Sequence, residues 1–167
     1  MTRVGIGYDI HRLESGAKLV LGGTIIDAPF GAVGHSDADT LTHAIIDAIL
    51  GAACAGDIGE HFPSSDPNYR GVSSTELLTT IMSRLHSAGW SVINVDSIVI
   101  LERPKLLPYK KPMRETIAAI LDIQTGAVSI KAKTKEGLGE VGAGSAVEAH
   151  AVALLQSESD DSESFWV

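Results

Sequence analysis

Hydrophobic and polar residues alternate along several short parts of the chain, a pattern that predicts β-strands with one buried face. The first of these strands ends at Asp9-Ile10-His11. The Gly22-Gly23 pair interrupts the second, which is either a strand or the arm of a hairpin. The pattern of the last segment, residues 145–155, favours a strand but is also compatible with a helix. The predicted strands cover residues 3–11, 18–26, 91–101, 128–134 and 145–155.

Three other parts of the chain repeat apolar residues at helical spacing. The first helix is predicted over residues 39–55, where positions 41, 44, 45, 48, 49 and 52 are apolar. The second covers residues 73–88 and starts at Ser73-x-x-Glu76, which has the form of a capping box. The third covers residues 109–121, with Pro112 in its first turn, where a proline is tolerated.

The order of these elements predicts a single α/β domain of the α+β type. Strands and helices do not alternate strictly, which favours a mixed β-sheet with helices on one face over a doubly wound sheet. The other face then needs a cover, and we expect another subunit there. We place a catalytic domain at residues 1–156 and an acidic, disordered tail at residues 157–167. The long loop over residues 56–71 is of the kind that usually carries function.

The net charge of −8 argues against a nucleic-acid binder, because such proteins carry a basic patch or stripe. We interpret the sparse group Lys105, Lys110, Lys111 and Arg114 as solvated surface. A phosphate ligand would therefore need local capture by metal ions, backbone N–H groups and a few lysines. Cys54 reads as a packed small hydrophobe rather than a nucleophile. A single cysteine and no secretory signal favour the cytoplasm, and no apolar stretch is long enough to span a bilayer.

Two groups of polar residues have the character of metal ligands. Asp9 and His11 are two residues apart on a strand and so share a face. Asp39, His43 and Asp47 form a stripe on the first helix, and we expect His43 to point away from the core. Each group alone also fits an ordinary solvated surface. Together, two histidines and one carboxylate are the three-ligand set that leaves a zinc ion one open position.

Two further segments are suited to binding an anion. Residues 34–39 immediately precede the first helix, whose N-terminus offers free N–H groups, and His35 and Ser36 add side-chain donors. We expect Ser36 or Asp37 to cap that helix. The second segment follows a strand end beside a Gly-rich loop, where Glu136 could hold a hard cation such as Mg²⁺.

Five ungapped motifs together resemble the 2-C-methyl-D-erythritol 2,4-cyclodiphosphate synthase family of the non-mevalonate isoprenoid pathway. They occur in that family's order and at its spacings, over about residues 3–155. The motifs are Gly5-Ile6-Gly7-Tyr8-Asp9-Ile10-His11-Arg12, Gly34-His35-Ser36-Asp37-Ala38-Asp39, Asp57-Ile58-Gly59-Glu60-His61-Phe62-Pro63, Arg103-Pro104-Lys105-Leu106-Leu107-Pro108 and Lys131-Ala132-Lys133-Thr134-Lys135-Glu136-Gly137-Leu138-Gly139.

The resemblance implies a lyase that converts 4-diphosphocytidyl-2-C-methyl-D-erythritol 2-phosphate to the 2,4-cyclic diphosphate and CMP. It implies a homotrimer with its sheets facing the three-fold axis and active sites between adjacent subunits. By the same likeness, Asp9, His11 and His43 bind Zn²⁺ or a similar divalent transition metal, and Glu136 binds Mg²⁺ or Mn²⁺ with the substrate diphosphate. His35 and Thr134 would be the catalytic residues that stabilise the transition state.

The resemblance also implies which residues bind each part of the substrate. Residues 101–107 would hold the cytidine, and Asp57, Gly59 and the loop 62–66 would hold the methylerythritol. The implied substrate-binding residues are Asp9, His11, His35, Ser36, Asp57, Ile58, Gly59, Phe62, Pro63, Ser64, Ser65, Asp66, Leu101, Glu102, Arg103, Pro104, Lys105, Leu106, Leu107, Lys133, Thr134, Lys135 and Glu136.

The sequence also departs from the family pattern. Ala143 stands where the family usually carries an Arg, and Glu140 stands in place of a bulky apolar residue. These changes bear on ligand binding along the trimer axis more than on the reaction itself. Two other functions are open: a zinc-dependent phosphohydrolase, in which water is the nucleophile, and a non-catalytic trimeric binding protein.

Overall fold

The computed structural model describes residues 1–157, which form one mixed sheet, a small hairpin and five helices. The strands are β1 (Thr2–Ser15), β2 (Leu19–Leu21), β3 (Thr24–Ile26), β4 (Phe30–Val33), β5 (Trp90–Ile100), β6 (Val128–Lys133) and β7 (Ala146–Ser157). The helices are α1 (Thr40–Ala53), α2 (Ile58–His61), α3 (Ser74–Ser87), α4 (Lys110–Leu121) and α5 (Gly139–Gly142). Short 3₁₀ turns lie at Pro67–Tyr69, Leu107–Tyr109 and Thr125–Ala127.

The main sheet has the strand order β4-β1-β7-β5-β6. The pairs β1/β4, β1/β7 and β5/β7 are antiparallel, whereas β5 and β6 run parallel. The predicted mixed sheet is therefore confirmed. The strands β2 and β3 form a separate hairpin, and the turn between them is Gly22-Gly23, with φ of 56° and 70°. Such positive φ values are accessible to glycine without strain, which explains the pair.

Helix α1 lies unusually close to the sheet because two glycines of β1 lie beneath it. A Cβ atom on Gly5 would lie 2.0 Å from the carbonyl oxygen of Ala48, and one on Gly7 would lie 1.9 Å from that of Ala44. Neither carbonyl can move without distorting the helix, so both strand positions need glycine. This packing fixes α1 against β1, and the candidate site lies at the same contact.

Within residues 1–157, the opposite face of the sheet is apolar and uncovered. The even-numbered residues of β1 point there, and Val4 and Ile6 are 67% and 74% exposed. Tyr8, Ile10 and the neighbouring Val152 of β7 are also exposed. Large contiguous apolar surfaces of this kind usually mark an interface. The sheet therefore has the apolar face without helices that the sequence predicted, and this face is available to another subunit.

Several boundaries differ from the sequence expectations. β1 continues past His11 to Ser15, and β4 lies in a stretch that the sequence pattern did not predict as a strand. The predicted loop over residues 56–71 contains α2 and a 3₁₀ turn. Residues 145–155 do form a strand, and it extends to Ser157, which is buried. The expected tail therefore begins inside β7, and the rest of it lies outside the described residues.

Two local expectations are wrong. Ser73 precedes α3, but its hydroxyl bonds to Thr75 rather than to the helix backbone, so no side-chain cap forms there. Cys54 is exposed, because it ends α1 in a left-handed conformation that turns it out of the core. No helix within residues 1–157 combines the length and apolar character needed to cross a membrane.

Candidate functional site

Asp9, His11 and His43 meet where β1 contacts α1. The Oδ2 atom of Asp9 lies 2.9 Å from Nδ1 of His11 and 2.9 Å from Nδ1 of His43. One potential ligand atom from each residue lies within 4.8 Å of the other two. His43, from the helical group, therefore joins Asp9 and His11 in one cluster, whereas Asp39 and Asp47 do not take part in it. Two imidazole nitrogens and one carboxylate oxygen are a donor set that suits zinc and leaves a position for a further oxygen ligand.

His43 was expected to point away from the core, and it is buried instead, with 8% of its surface exposed. The helical stripe of Asp39, His43 and Asp47 does face away from the apolar residues of α1. It is covered nonetheless, because β1 lies on one side of His43 and the start of α3 lies on the other.

A chain of hydrogen bonds sets the proton position on His43. The Ser74 hydroxyl donates to a carboxylate oxygen of Asp37 and lies 2.8 Å from Nε2 of His43. Since its proton is committed to Asp37, Ser74 accepts from an Nε2–H of the imidazole. The Nδ1 lone pair of the neutral ring is then directed at the cluster, as a metal ligand requires. Ser36 adds a second hydroxyl 3.1 Å from Nε2.

His11 has a weaker partner in Thr40, whose hydroxyl lies 3.4 Å from its Nδ1. Neither Thr40 nor Ser74 was singled out from the sequence. Serine and threonine at the start of a helix are ordinary in sequence, and only the packing of α1, α3 and β1 brings them to the histidines.

The cluster shifts the titration of its own members. Burial alone would raise the pKa of Asp9, but hydrogen bonds and charge interactions with His11 and His43 lower it below its ordinary value. Burial alone would lower the pKa of His43, but the Asp9 carboxylate raises it. A carboxylate that stays ionised beside two imidazoles is the charge arrangement that a divalent cation favours.

Asp39 has a structural role rather than a place on a solvated stripe. It is fully buried and is the N-cap of α1, accepting a hydrogen bond from the backbone N–H of Thr42. It also accepts from the N–H groups of Gly22 and Gly23, so it joins the β2–β3 hairpin to the helix. The expected cap by Ser36 or Asp37 is therefore wrong.

A cavity of about 210 Å³ opens beside the cluster. It brings together nine of the residues named from the sequence: Asp9, His11, His35, Ser36, His43, Ile58, Gly59, Phe62 and Ser64. Tyr69 and Leu77 also line it. Asp57 is not among the lining residues; it precedes Ile58 as the exposed N-cap of α2 and accepts a hydrogen bond from the N–H of Glu60.

A second cavity of about 320 Å³ adjoins the first and shares His35 and Ser64 with it. Ser65 and Arg70 line it as well. The ring of His35 is held between the two cavities by a 3.2 Å hydrogen bond from Nε2 to the Asp66 carbonyl. Pro63 is exposed in the same loop. Arg70 was not identified from the sequence, because it stands alone in an irregular loop.

Three side chains that line neither cavity fix α2 in place. Asp47 accepts a 2.8 Å hydrogen bond from the N–H of Ile58. Burial raises the pKa of Asp47, against the effect of this bond. His61 donates from Nε2 to the Ala55 carbonyl, and Arg84 donates to its Nδ1, both at 2.8 Å.

The predicted site residues at positions 101–107 and 133–136 lie apart from the metal cluster, and we call them the Thr134 group. The Thr134 hydroxyl donates to Glu136 at 2.7 Å, and the backbone N–H of Lys135 donates to Glu102 at 3.1 Å. The side chain of Lys135 pairs with Glu148 on β7 at 3.0 Å. This group comprises Leu101, Glu102, Arg103, Pro104, Lys105, Leu106, Leu107, Lys133, Thr134, Lys135 and Glu136. None of its members lines either of the two cavities described above.

Strand register gives the separation of the two groups. Ile10 of β1 is opposite Glu148 of β7, which is opposite Ile100 of β5, which is opposite Lys133 of β6. Three strand spacings of about 4.8 Å place Lys133 about 14 Å from Ile10. Within one chain, the metal cluster and Thr134 are therefore at the same end of the sheet but are not in contact.

Comparison with known proteins identifies relatives across nearly the whole chain. The YgbB family model matches residues 2–156. A 2-C-methyl-D-erythritol 2,4-cyclodiphosphate synthase of Syntrophomonas wolfei is 53% identical over 154 residues, which is 92% of this chain and 98% of that protein. The protein of the same name from Gloeobacter violaceus is 51% identical, over 92% of this chain and 94% of its own.

Solved structures agree with the sequence relatives. A 2C-methyl-D-erythritol-2,4-cyclodiphosphate synthase in a CDP-bound form superposes with a TM-score of 0.85 at 39% identity, covering 92% of this chain and all of that one. The IspF–CDP complex of Plasmodium falciparum gives 0.83 at 34% identity, covering 95% and 97%. On these matches, the chain belongs to the YgbB family of 2-C-methyl-D-erythritol 2,4-cyclodiphosphate synthases.

Proposed function

We propose that this chain is a phosphorus–oxygen lyase that converts 4-diphosphocytidyl-2-C-methyl-D-erythritol 2-phosphate to 2-C-methyl-D-erythritol 2,4-cyclodiphosphate and CMP. The observation that carries the proposal is the convergence of Asp9, His11 and His43 on a cavity that is also lined by His35 and Ser36. The relatives named for this reaction and the two CDP-bound neighbours support it.

The reaction is an intramolecular phosphoryl transfer. An oxygen of the 2-phosphate attacks the β-phosphorus of the diphosphate, and a new P–O bond forms there. The bond from the β-phosphorus to the oxygen that bridges it to the α-phosphate breaks, and CMP leaves with that oxygen. A phosphate with a second pKa of about 6 is already anionic at neutral pH, so no general base is needed. Neither water nor an additional reactant enters the balance.

The protein's task is then to hold two anionic groups in line. His35 is fixed between the two cavities by its bond to the Asp66 carbonyl, and the Ser36 hydroxyl lies beside it. Ile58 and Gly59, which follow Asp57, are held against the cavity by the hydrogen bond from the Ile58 N–H to Asp47. We assign the catalytic positions to His35 and Thr134, and the methylerythritol contacts to α2 and residues 62–66.

The donor set of Asp9, His11 and His43 suits Zn²⁺, which when bound would neutralise and orient a phosphate oxygen. Ser74 holds His43 in the tautomer that such binding needs. We assign Glu136 to Mg²⁺ or Mn²⁺, since its carboxylate lies beside Thr134 at an exposed loop. In a chain of net charge −8, these cations supply the local positive charge that a phosphorylated substrate requires.

The proposal includes a homotrimer in which each site forms between adjacent subunits. Two observations support it. The face of the sheet that carries Val4, Ile6 and Ile10 is apolar and exposed. Thr134 and residues 101–107, assigned to catalysis and cytidine binding, lie away from the cavity that holds the metal cluster. A neighbouring copy that covers the sheet face can bring its own Thr134 group to that cavity.

The test is to incubate the protein and substrate with Zn²⁺ and Mg²⁺ in ¹⁸O-labelled water and to follow the products by ³¹P NMR and mass spectrometry. The proposal predicts CMP and a cyclic diphosphate, both without ¹⁸O. A phosphohydrolase would incorporate ¹⁸O from water, and a binding protein would release no CMP. Either result would overturn the assignment.

A further inference from the structure

A positively charged side chain that the assigned site does not use lies at the edge of the second cavity. Arg70 is the sole Lys or Arg among the described residues that line either cavity. Its guanidinium has no hydrogen-bond or ion-pair partner in the described part of the chain, and the residue is exposed. An Arg without a partner next to a cavity is available to bind an anion, and its planar fork suits phosphate.

The loop that carries Arg70 is tied to the segment that carries His35. The N–H of Gly71 donates to the His35 carbonyl at 2.8 Å, and the N–H of Asp37 donates to the Val72 carbonyl at 3.1 Å. Asp66, the nearest carboxylate in the loop sequence, is engaged with the N–H of Asn68. Arg70 is therefore placed by backbone bonds beside His35, and its charge is not neutralised by the loop.

The reaction contains one anionic group for which no cation has been assigned. In the proposed site, the metal cluster and Glu136 with its cation would serve the diphosphate, and His35 and Ser36 are the side chains left for the attacking monophosphate. That monophosphate must be held against the repulsion of the diphosphate that it attacks. The guanidinium of Arg70 lines the same cavity as His35 and can supply the positive charge that holds the monophosphate.

We propose that Arg70 binds the monophosphate that acts as the nucleophile, and that it is the specificity residue that distinguishes the phosphorylated substrate from its unphosphorylated precursor. This inference rests on the proposed function. To that function the inference adds Arg70 as the group that recognises the reacting phosphate.

The test compares Arg70→Gln with the wild-type protein in two measurements. The first is KM for the substrate, which should rise about tenfold, as expected for loss of a charge-assisted hydrogen bond. The second is the inhibition constant of 4-diphosphocytidyl-2-C-methyl-D-erythritol, which lacks the 2-phosphate and should bind both proteins equally. Arg70→Lys should recover part of the substrate affinity. The matched control is Lys111→Gln, which removes one exposed charge that lines neither of these cavities and should change neither constant.

Two results would overturn the role of Arg70: an unchanged KM in Arg70→Gln, or a parallel rise in KM and in the inhibition constant, which would mean that the loop has merely lost its shape. If the wild-type protein binds the substrate without turning it over, the proposed function fails. The same comparison made with dissociation constants then decides on Arg70 independently.

Discussion

The hydroxyl of Ser74 lies 2.8 Å from Nε2 of His43, on the side of the imidazole that faces away from Asp9. Because Ser74 also donates to Asp37, it fixes the proton on Nε2 and leaves Nδ1 for the metal cluster. The metal site thus depends on a residue at the first turn of α3, 31 positions away from the histidine it orients.

Removing this hydroxyl should weaken metal binding without removing a ligand. We expect Ser74→Ala to lower zinc affinity about tenfold, the lower end of the effect seen when a residue that orients a metal ligand is lost. The measurement is a competition titration against a chelator of known affinity. Ser73→Ala is the matched control, since the Ser73 hydroxyl bonds to Thr75 and does not reach the cluster. Equal affinities in the two variants would contradict the role of Ser74.

The close approach of α1 to β1 should be equally necessary. Gly7→Ala places a methyl group against the Ala44 carbonyl, so the helix and strand must separate and Asp9 must move relative to His43. We expect a loss of about 3 kcal/mol in the free energy of unfolding and weaker zinc binding. Gly51→Ala offers the contrast, because its Cβ meets nothing closer than 3.7 Å. That variant should gain about 0.5 kcal/mol from helix propensity. The free energies of unfolding of the two variants are compared by denaturant titration. Similar changes in both variants would contradict the need for glycine at position 7.

The sequence was sufficient to predict the elements of the fold but not the contacts that form the metal cluster. Alternation and helical spacing predicted most of the strands and the three long helices, because each buries one face of its own element. Spacing alone could not join Asp9 and His11 to His43, since their contact depends on how Gly7 packs under α1. It predicted the wrong exposure for His43, because the pattern of one helix does not report that α3 covers its polar side.

Burial of Asp47 predicts a particular dependence of stability on pH. Its pKa in the folded protein is raised above the ordinary 3.8, chiefly by burial. The folded state therefore holds the proton more tightly than the unfolded state, and this residue's contribution to the free energy of unfolding falls as the pH rises through the interval from 3.8 to the raised value.

Asp47→Asn keeps an oxygen that can accept from Ile58 and removes the buried charge. We expect it to raise the melting temperature at pH 7, with the gain disappearing below pH 3.8, where both side chains are neutral. Asp57→Asn, at an exposed cap, should show no such gain. A gain that persists in acid would mean that charge burial is not its cause.

Several residues around the cavities could not be predicted from the sequence. Asp47, Arg70 and Ser74 each act on a segment that is distant along the chain or through an irregular loop, where no periodicity exists. The residues implied by the resemblance did include nine that line the first cavity, and they also included the Thr134 group that lies apart from it. A single chain thus contains both groups without joining them.

The proposed shared site is tested most directly by asking whether the metal cluster of one copy functions with the Thr134 group of another. His43→Ala and Thr134→Ala should each abolish CMP release. After the two inactive proteins are unfolded, mixed and refolded together, mixed trimers should contain some sites with an intact metal cluster from one copy and an intact Thr134 from its neighbour. If each site draws on two adjacent copies, random assembly of equal amounts should restore about a quarter of wild-type activity. If the mixture stays inactive although an affinity tag on one variant co-purifies the other variant in trimers, the site is contained within one chain and the homotrimer proposal is wrong.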